Sequence, residues 1–323
     1  EHRGNLLYEI IARGHQVRVL RSENVGLDYL ASKIDADISM GAEQSVDALE
    51  CADLMQKIHC DLVVIDHYAA DMVWESAVSP YCDNIMVVDD LANRRHACDI
   101  LLDQNLGRSA QDYIGLVSDD CCLFIGPSHA LVRNEFSILR ESSLNRRNVF
   151  SLQNILITMG GVDQLNVTGQ VLDALAGCTL PKNCSITIVM GENAPWLREV
   201  QLLAADLPWS ASVVVNTKNM GNLMFNADLC IGAAGSTSWE RCTLGLPTIL
   251  LCVASNQKEV AHALSVVGAA LIIDMIDSGI CSVELNNKIR EVSLLSSAMV
   301  QKSGSITDGS GAKKIARFLV DKQ

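Results

Sequence analysis

Asp228–Gln257 reads DLCIGAAGSTSWERCTLGLPTILLCVASNQ, and the order of residue types in it decides the fold class. An apolar strand runs into a glycine-containing turn and a short helix. Pro247 follows, then a second apolar strand, and a polar turn opens another helix. Strand, turn and helix repeated in this way build a parallel sheet covered by helices. Two helix N-termini then open on one edge of that sheet, where backbone N–H groups and helix dipoles favour an anion. A phosphate is expected at that edge.

Gly232, Gly235 and Ser236 fall where the chain turns from strand to helix, and Thr237 with Glu240 has the S/T-x-x-E spacing of a capping box. Asn256, Gln257, Lys258 and Glu259 repeat the arrangement one unit later. Spacing alone leaves two readings open for Thr237, Glu240 and Asn256: helix caps, or groups that meet a ligand.

Outward from this stretch, 323 residues suit two domains of about 150 residues each. With 49% hydrophobic and 20% charged residues there is enough apolar material for both cores. Apolar runs such as Thr248–Val253 and Asp61–Ile65 have strand length, and none approaches the ~18 residues of a membrane helix. A net charge of −13 and a pI near 4.9 argue against nucleic acid or an anionic membrane as the main partner. Twelve cysteines without a C-x-x-C pair, mostly inside apolar segments, suit neither a disulfide framework nor a zinc site. They read as the reduced, buried thiols of a soluble cytosolic protein.

The chain opens on Glu1, with no signal-peptide pattern. Leu6, Leu7, Ile10 and Ile11 have helical spacing, Gly14 ends that helix, and Gln16–Leu20 reads as a strand. An alternating β/α domain places a strand before such a helix, so about 20 upstream residues are expected. The first half continues with helix 45–58, strand 61–66, helix 70–77 and strands 84–89 and 99–103. A polar, weakly periodic segment over 133–153 marks a domain boundary near Asn148, giving domains 1–148 and 149–323. The second half reads as strand 154–159, helix 167–176, strand 185–190, helix 195–205, strand 212–215 and helix 220–226, and then reaches the stretch quoted first.

Other local groups invite chemistry. Gly160-Gly161 lies between a strand and a helix, where glycines let backbone approach a ligand or simply make the turn. Asp66-His67-Tyr68 follows an apolar strand, the place where open α/β sheets project binding groups, or where a His-Tyr pair packs. Asp89-Asp90 ends a strand, but neighbours in a strand face opposite sides and no third ligand lies at helical spacing, so no metal is expected.

Several segments together resemble one family: VVIDHY at 63–68, VVDDLANRRHACDILLDQN at 87–105, GPSHALVRNEF at 126–136, TMGGVD at 158–163, GAAGSTSWE at 232–240 and SNQ at 255–257. They are similar, in order and along nearly the whole chain, to the UDP-sugar hydrolases of pseudaminic acid biosynthesis, which act on a UDP-linked 2,4-diacetamido-2,4,6-trideoxy sugar. That family is related in fold to the peptidoglycan N-acetylglucosaminyltransferase. The resemblance implies an α/β protein of the GT-B class, two facing Rossmann-like doubly wound domains with substrate in the cleft and a last helix crossing back, here Gly304–Val320.

The resemblance also implies roles. UDP is held by the C-terminal domain, with Glu240 on the ribose hydroxyls, Gly160, Gly161, Gly235 and Ser236 near nucleotide or phosphates, and Gln257 beside them. Tyr68 and Asn256 match positions acting at the sugar and pyrophosphate. The family's general base is a His in a G-x-G-H-x-x-R loop. Arg3 matches the Arg of that loop, which puts the base just before Glu1, with His2 as a fallback. Gly4 departs from the Cys of many members, a matter of packing.

The implied reaction is inverting hydrolysis of the sugar–UDP bond, without cofactor or metal, in the biosynthesis of a nonulosonic acid for surface glycans or flagellin. Two alternatives stay open: a glycosyltransferase of the same fold, and an inactive UDP-sugar-binding fragment.

Overall fold

The computed structural model describes residues 7–18, 41–58, 60–276 and 279–322, with 41–43 and Asn256 in their backbone only. By its contacts the chain divides into two compact units, Asn5–His129 and Ala130–Gln323.

In the first unit the described elements are α1 (Leu7–Ala12), α2 (Gly41–Met55), β1 (Cys60–Ile65), α3 (Met72–Val78), β2 (Cys82–Val88), β3 (Ile100–Asp103) and β4 (Cys122–Ile125). The strands form one parallel sheet in the order β1-β2-β3-β4. Ile85, Val87 and Leu101 from the sheet meet Ala48, Ala52, Trp74 and Val78 from the helices in the core. The expected strand over Gln16–Leu20 lies partly outside the described residues, and positions 16–18 carry no regular structure. His2 and Arg3 lie outside the described residues altogether.

The second unit begins with α4 (Asn134–Arg146) and continues with β5 (Asn154–Thr158), α5 (Val167–Ala176), β6 (Ser185–Met190), α6 (Leu197–Asp206), β7 (Ser210–Val215) and α7 (Met220–Asn226). The opening stretch supplies β8 (Leu229–Ala233), α8 (Thr237–Thr243), β9 (Thr248–Cys252) and the start of α9 (Lys258–Val266). Then come β10 (Leu271–Asp274), α10 (Ser282–Ile306) and α11 (Gly311–Asp321). All six strands are parallel, in the order β10-β9-β8-β5-β6-β7. From the central β5 the chain winds outward through β6 and β7, then crosses back to β8 and winds the other way. The reversal between β5 and β8 is a topological switch point, the place where open α/β sheets bind ligands.

Buried apolar side chains of β5, β6, β8 and β9, among them Ile155, Ile157, Ile188, Ile231 and Leu251, pack with Val171, Leu172 and Leu175 of α5. Full burial on both faces explains why these strands read as continuous apolar runs.

Two differences from the sequence reading have physical causes. Gly304–Val320 is not one helix: α10 ends at Ile306, and α11 starts at Gly311 after a break in which Gly309 has φ +74°. Segment 133–153, read as a boundary, contains α4, which belongs to the second unit. This helix docks through polar side chains. Arg140 donates to the carbonyls of Thr243 (2.7 Å), Thr307 (2.9 Å) and Gly304 (2.6 Å). Ser143 donates to Leu244 (2.8 Å), and Arg147 to Leu244 (3.1 Å), Ala227 (2.6 Å) and Met224 (2.8 Å). These carbonyls end α7, α8 and α10, and a helix end leaves such groups without internal partners. Burial pushes the Arg147 guanidinium down to about 9, so it remains charged at neutral pH.

All twelve cysteines are free thiols, half of them buried and Cys281 exposed. Among the described residues no helix is long and apolar enough to cross a membrane.

Candidate active site

Three loops of the second unit leave the C-terminal ends of β5, β8 and β9, which are neighbours in the sheet. After β5, Gly160 takes φ +88°, which only glycine adopts without strain. The Gly161 carbonyl accepts the Gly191 N–H at 3.1 Å, fixing the turn against the end of β6. On the other side a Cβ at Gly160 or Gly161 would meet nothing within 4 Å. The turn therefore presents bare backbone to open space, as a ligand's close approach requires.

The helix that follows this turn is closed to an anion. Asp163 accepts from the N–H groups of Val167 (2.9 Å) and Thr168 (2.8 Å), and Asn166 accepts from Gly169 (3.1 Å). The free donors of the first turn of α5 are spent on its own side chains, and a carboxylate already faces its dipole.

After β8 the picture differs. Gly235 has no neighbour within 4 Å of a would-be Cβ. Ser236 is the N-cap residue of α8, and its hydroxyl makes no cap hydrogen bond. The capping box of Thr237 and Glu240 does not form. Glu240 turns instead to Arg133, whose Nε and Nη2 each lie 3.2 Å from its Oε1. Burial raises the Glu240 carboxyl above its ordinary range, and Arg133 opposes that rise.

Gly232 lies inside β8 rather than in the turn, and glycine is required there because a Cβ would come within 2.4 Å of Arg241 Nη1 and 2.9 Å of the Thr158 carbonyl. Buried Arg241 donates through Nη2 to the Ala233 carbonyl (2.8 Å) and the Ser238 hydroxyl (2.9 Å), bracing the Gly235 turn from beneath. After β9, the Gln257 side-chain carbonyl folds back to accept the Val253 N–H at 3.2 Å. The Asn256 side chain lies outside what the structure describes.

In the first unit, Tyr68 follows β1, is half-exposed, and donates its hydroxyl to Asp90 Oδ2 at 3.0 Å. Burial and then Asp90 push the phenol up to about 12, so Tyr68 stays protonated at neutral pH. His67 Nδ1 accepts the Ala69 N–H at 3.1 Å, a local turn contact.

The strand ends at Val88, so Asp89 and Asp90 lie just past it, and they take different partners. Asp89 turns inward to Arg94 (2.8 Å), the Ala92 N–H (2.9 Å) and the Tyr113 hydroxyl (3.1 Å). Nearby, buried Glu75 takes His96 Nδ1 at 2.6 Å and the Ala97 N–H. The sequence reading missed this network, whose only signal was the density of acids and basic residues in 87–105. Among the described residues no group of three or more His, Cys, Asp or Glu side chains is placed to hold a metal.

A six-stranded parallel sheet in this order, with glycine turns bare at its switch point, defines a doubly wound, Rossmann-like domain. Residues 154–317 match the glycosyltransferase family 28 C-terminal domain, and the chain belongs to that family.

The fold is α/β of the GT-B class. It resembles the crystal structure of MurG from Acinetobacter baumannii with a TM-score of 0.63 and 17% identity, over 87% of this chain and 79% of that one. A UDP-2,4-diacetamido-2,4,6-trideoxy-beta-L-altropyranose hydrolase of Campylobacter jejuni is 29% identical over 212 residues, 66% of this chain and 73% of the relative. An uncharacterized protein of Methanocaldococcus jannaschii is 26% identical over 252 residues, 74% of this chain. The chain spans about half of that archaeal protein, 51% of its length.

Proposed function

We propose that the protein hydrolyses a UDP-linked diacetamido-trideoxy sugar, releasing UDP and the free sugar. The observation that carries the reading is the set of open loops at the β5/β8 switch point: Gly160-Gly161 and Gly235-Ser236, with Glu240 one helical turn further on. In this reading the glycine turns take the diphosphate, Glu240 accepts from the ribose hydroxyls, and Gln257 borders the nucleotide. The occupied N-terminus of α5 directs the phosphates toward the Gly235-Ser236 turn instead. The 29% identity to the Campylobacter hydrolase supports the choice of substrate.

Tyr68 and Asn256 are assigned to the sugar end. A water that gives up its proton to a general base attacks the anomeric carbon. The bond from that carbon to the phosphate oxygen breaks, the configuration inverts, and UDP departs with the electron pair. Hydrogen-bond donors of the two turns stabilise the charge that develops on the leaving diphosphate.

Membership of a glycosyltransferase domain family favours one alternative, transfer of the sugar to an acceptor. The test is incubation of the protein with the UDP-sugar in buffer alone, followed by proton NMR. Stoichiometric UDP and free sugar of inverted anomeric configuration are expected. Turnover that waits for an added acceptor would replace the hydrolase with a transferase.

A further inference from the structure

We propose that Arg133 is a positioning residue for nucleotide recognition, holding Glu240 ionised and aiming its free oxygen at the ribose diol. The inference rests on the ribose role given to Glu240 above and assigns a function to the 126–136 segment, which that role leaves unexplained.

Arg133 stands at the N-cap position of α4 and makes no cap hydrogen bond itself, which leaves its side chain free to reach across to α8. Its backbone is fixed there because α4 is anchored to the ends of α7, α8 and α10 by Arg140, Ser143 and Arg147. The guanidinium is then held on three sides. Nη1 pairs with Glu135 Oε1 at 2.9 Å, the Phe136 ring lies 5.1 Å from the guanidinium carbon, and Nε and Nη2 both reach Glu240 Oε1. Glu135 packs against Gly221, where a Cβ would sit 2.9 Å from its Oε2. These neighbours favour the placement in which Nε and Nη2 meet Glu240.

Both donors fall on one oxygen of Glu240. Oε2 accepts no hydrogen bond among the described residues, and a carboxylate oxygen offers two acceptor sites, enough for adjacent hydroxyls. The Glu240 side chain is only 14% exposed, an environment that favours the neutral acid. A neutral acid would present a donor as well as an acceptor, and would lose the stronger, charge-assisted bonds to the diol. Arg133 opposes protonation and leaves the recognising oxygen free.

The experiment measures UDP and 2′-deoxy-UDP affinities by calorimetry for the full chain and for Glu240→Gln, Arg133→Ala, Arg133→Lys and Arg133→Gln/Glu240→Gln. Thermal melts check folding, and Arg133→Gln serves if Arg133→Ala does not fold. The parent should prefer UDP by roughly ten- to a hundredfold, the value of a hydrogen bond to a charged acceptor. Removing Arg133 should collapse the preference as Glu240→Gln does. The double variant should lose no more of it, and Arg133→Lys should recover part. UDP affinity of the Arg133→Ala protein should also fall away at higher pH on acidification than that of the parent.

An Arg133→Ala protein that binds both nucleotides more weakly by the same factor, with the preference intact, overturns the proposal in favour of direct contact with the diphosphate. A Glu240→Gln protein that retains the preference overturns the ribose reading itself, and the role of Arg133 with it.

Discussion

The Tyr113 hydroxyl lies 3.1 Å from Asp89 Oδ2 and 2.9 Å from Asp103 Oδ2, and its single proton can serve only one of them. Asp89 has Arg94 as a close cation, whereas the nearest guanidinium nitrogen to Asp103 is Arg108 Nε at 3.6 Å. Burial pushes Asp103 up from 3.8 to about 6, against the opposing bonds from the Asn105 N–H and Tyr113. Between those two values the folded protein holds a proton that the unfolded chain has released. Stability therefore falls as pH rises through that window and stays lower above it. Asp103→Asn keeps an acceptor for the Asn105 N–H and removes the titration. Its melting temperature should exceed the parent's at about pH 7.5 and approach it at about pH 4.5. An offset that is the same at both pH values would mean that Asp103 does not exchange a proton on folding. In the sequence Asp103 is only the last residue of an apolar strand. Its partner Tyr113 lies ten positions on, in a segment without periodicity, so no local pattern could announce the pair.

At the scale of elements, legibility followed the source of each element's stability. β6, α5 and α7 have the bounds expected for them because their apolar faces are continuous with the core and their ends carry turn residues. The helix α4 escaped recognition because it is held by arginine and serine donors on other helices' carbonyls, a mode that leaves no apolar stripe in the sequence. The glycine turns of the candidate site were legible, since Gly160, Gly161 and Gly235 mark strand ends. Spacing could not decide between the two readings left open for Glu240, because its partner Arg133 is 107 residues away. The end of α5 shows the same limit, since TMGGVD gives no sign that Asp163 would fold back onto the helix. Asp163→Ala leaves Val167 and Thr168 N–H groups without that acceptor, and should cost about 1–2 kcal/mol in urea denaturation. Asn166→Ala should cost a similar amount through Gly169. A loss below about 0.3 kcal/mol for both would show that water replaces these caps freely, and the argument for a closed α5 terminus would weaken.

For the whole molecule, the position of the division between the two units has consequences that a fragment experiment can read. The sequence places it near Asn148, where polarity is highest, whereas the contacts place it after His129. A fragment over 149–323 keeps every strand of the six-stranded sheet but loses Arg133, Arg140, Ser143 and Arg147. The carbonyls of Met224, Ala227, Thr243, Leu244, Gly304 and Thr307 lose these donors, several of them from buried partners. Each charged donor lost from such a carbonyl is worth about 1.5–3 kcal/mol, and a domain has only about 5–15 kcal/mol to lose. We therefore expect the 130–323 fragment to unfold cooperatively and to bind UDP, and the 149–323 fragment to be poorly soluble or to melt without cooperativity. Arg140→Ala in the longer fragment separates the two explanations for such a failure. If α4 acts through its donors, that one change should lower the melting temperature sharply; if it acts only by covering surface, the change should be mild. Equal stability and equal UDP affinity in both fragments would return the division to Asn148 and remove the anchoring role given to α4.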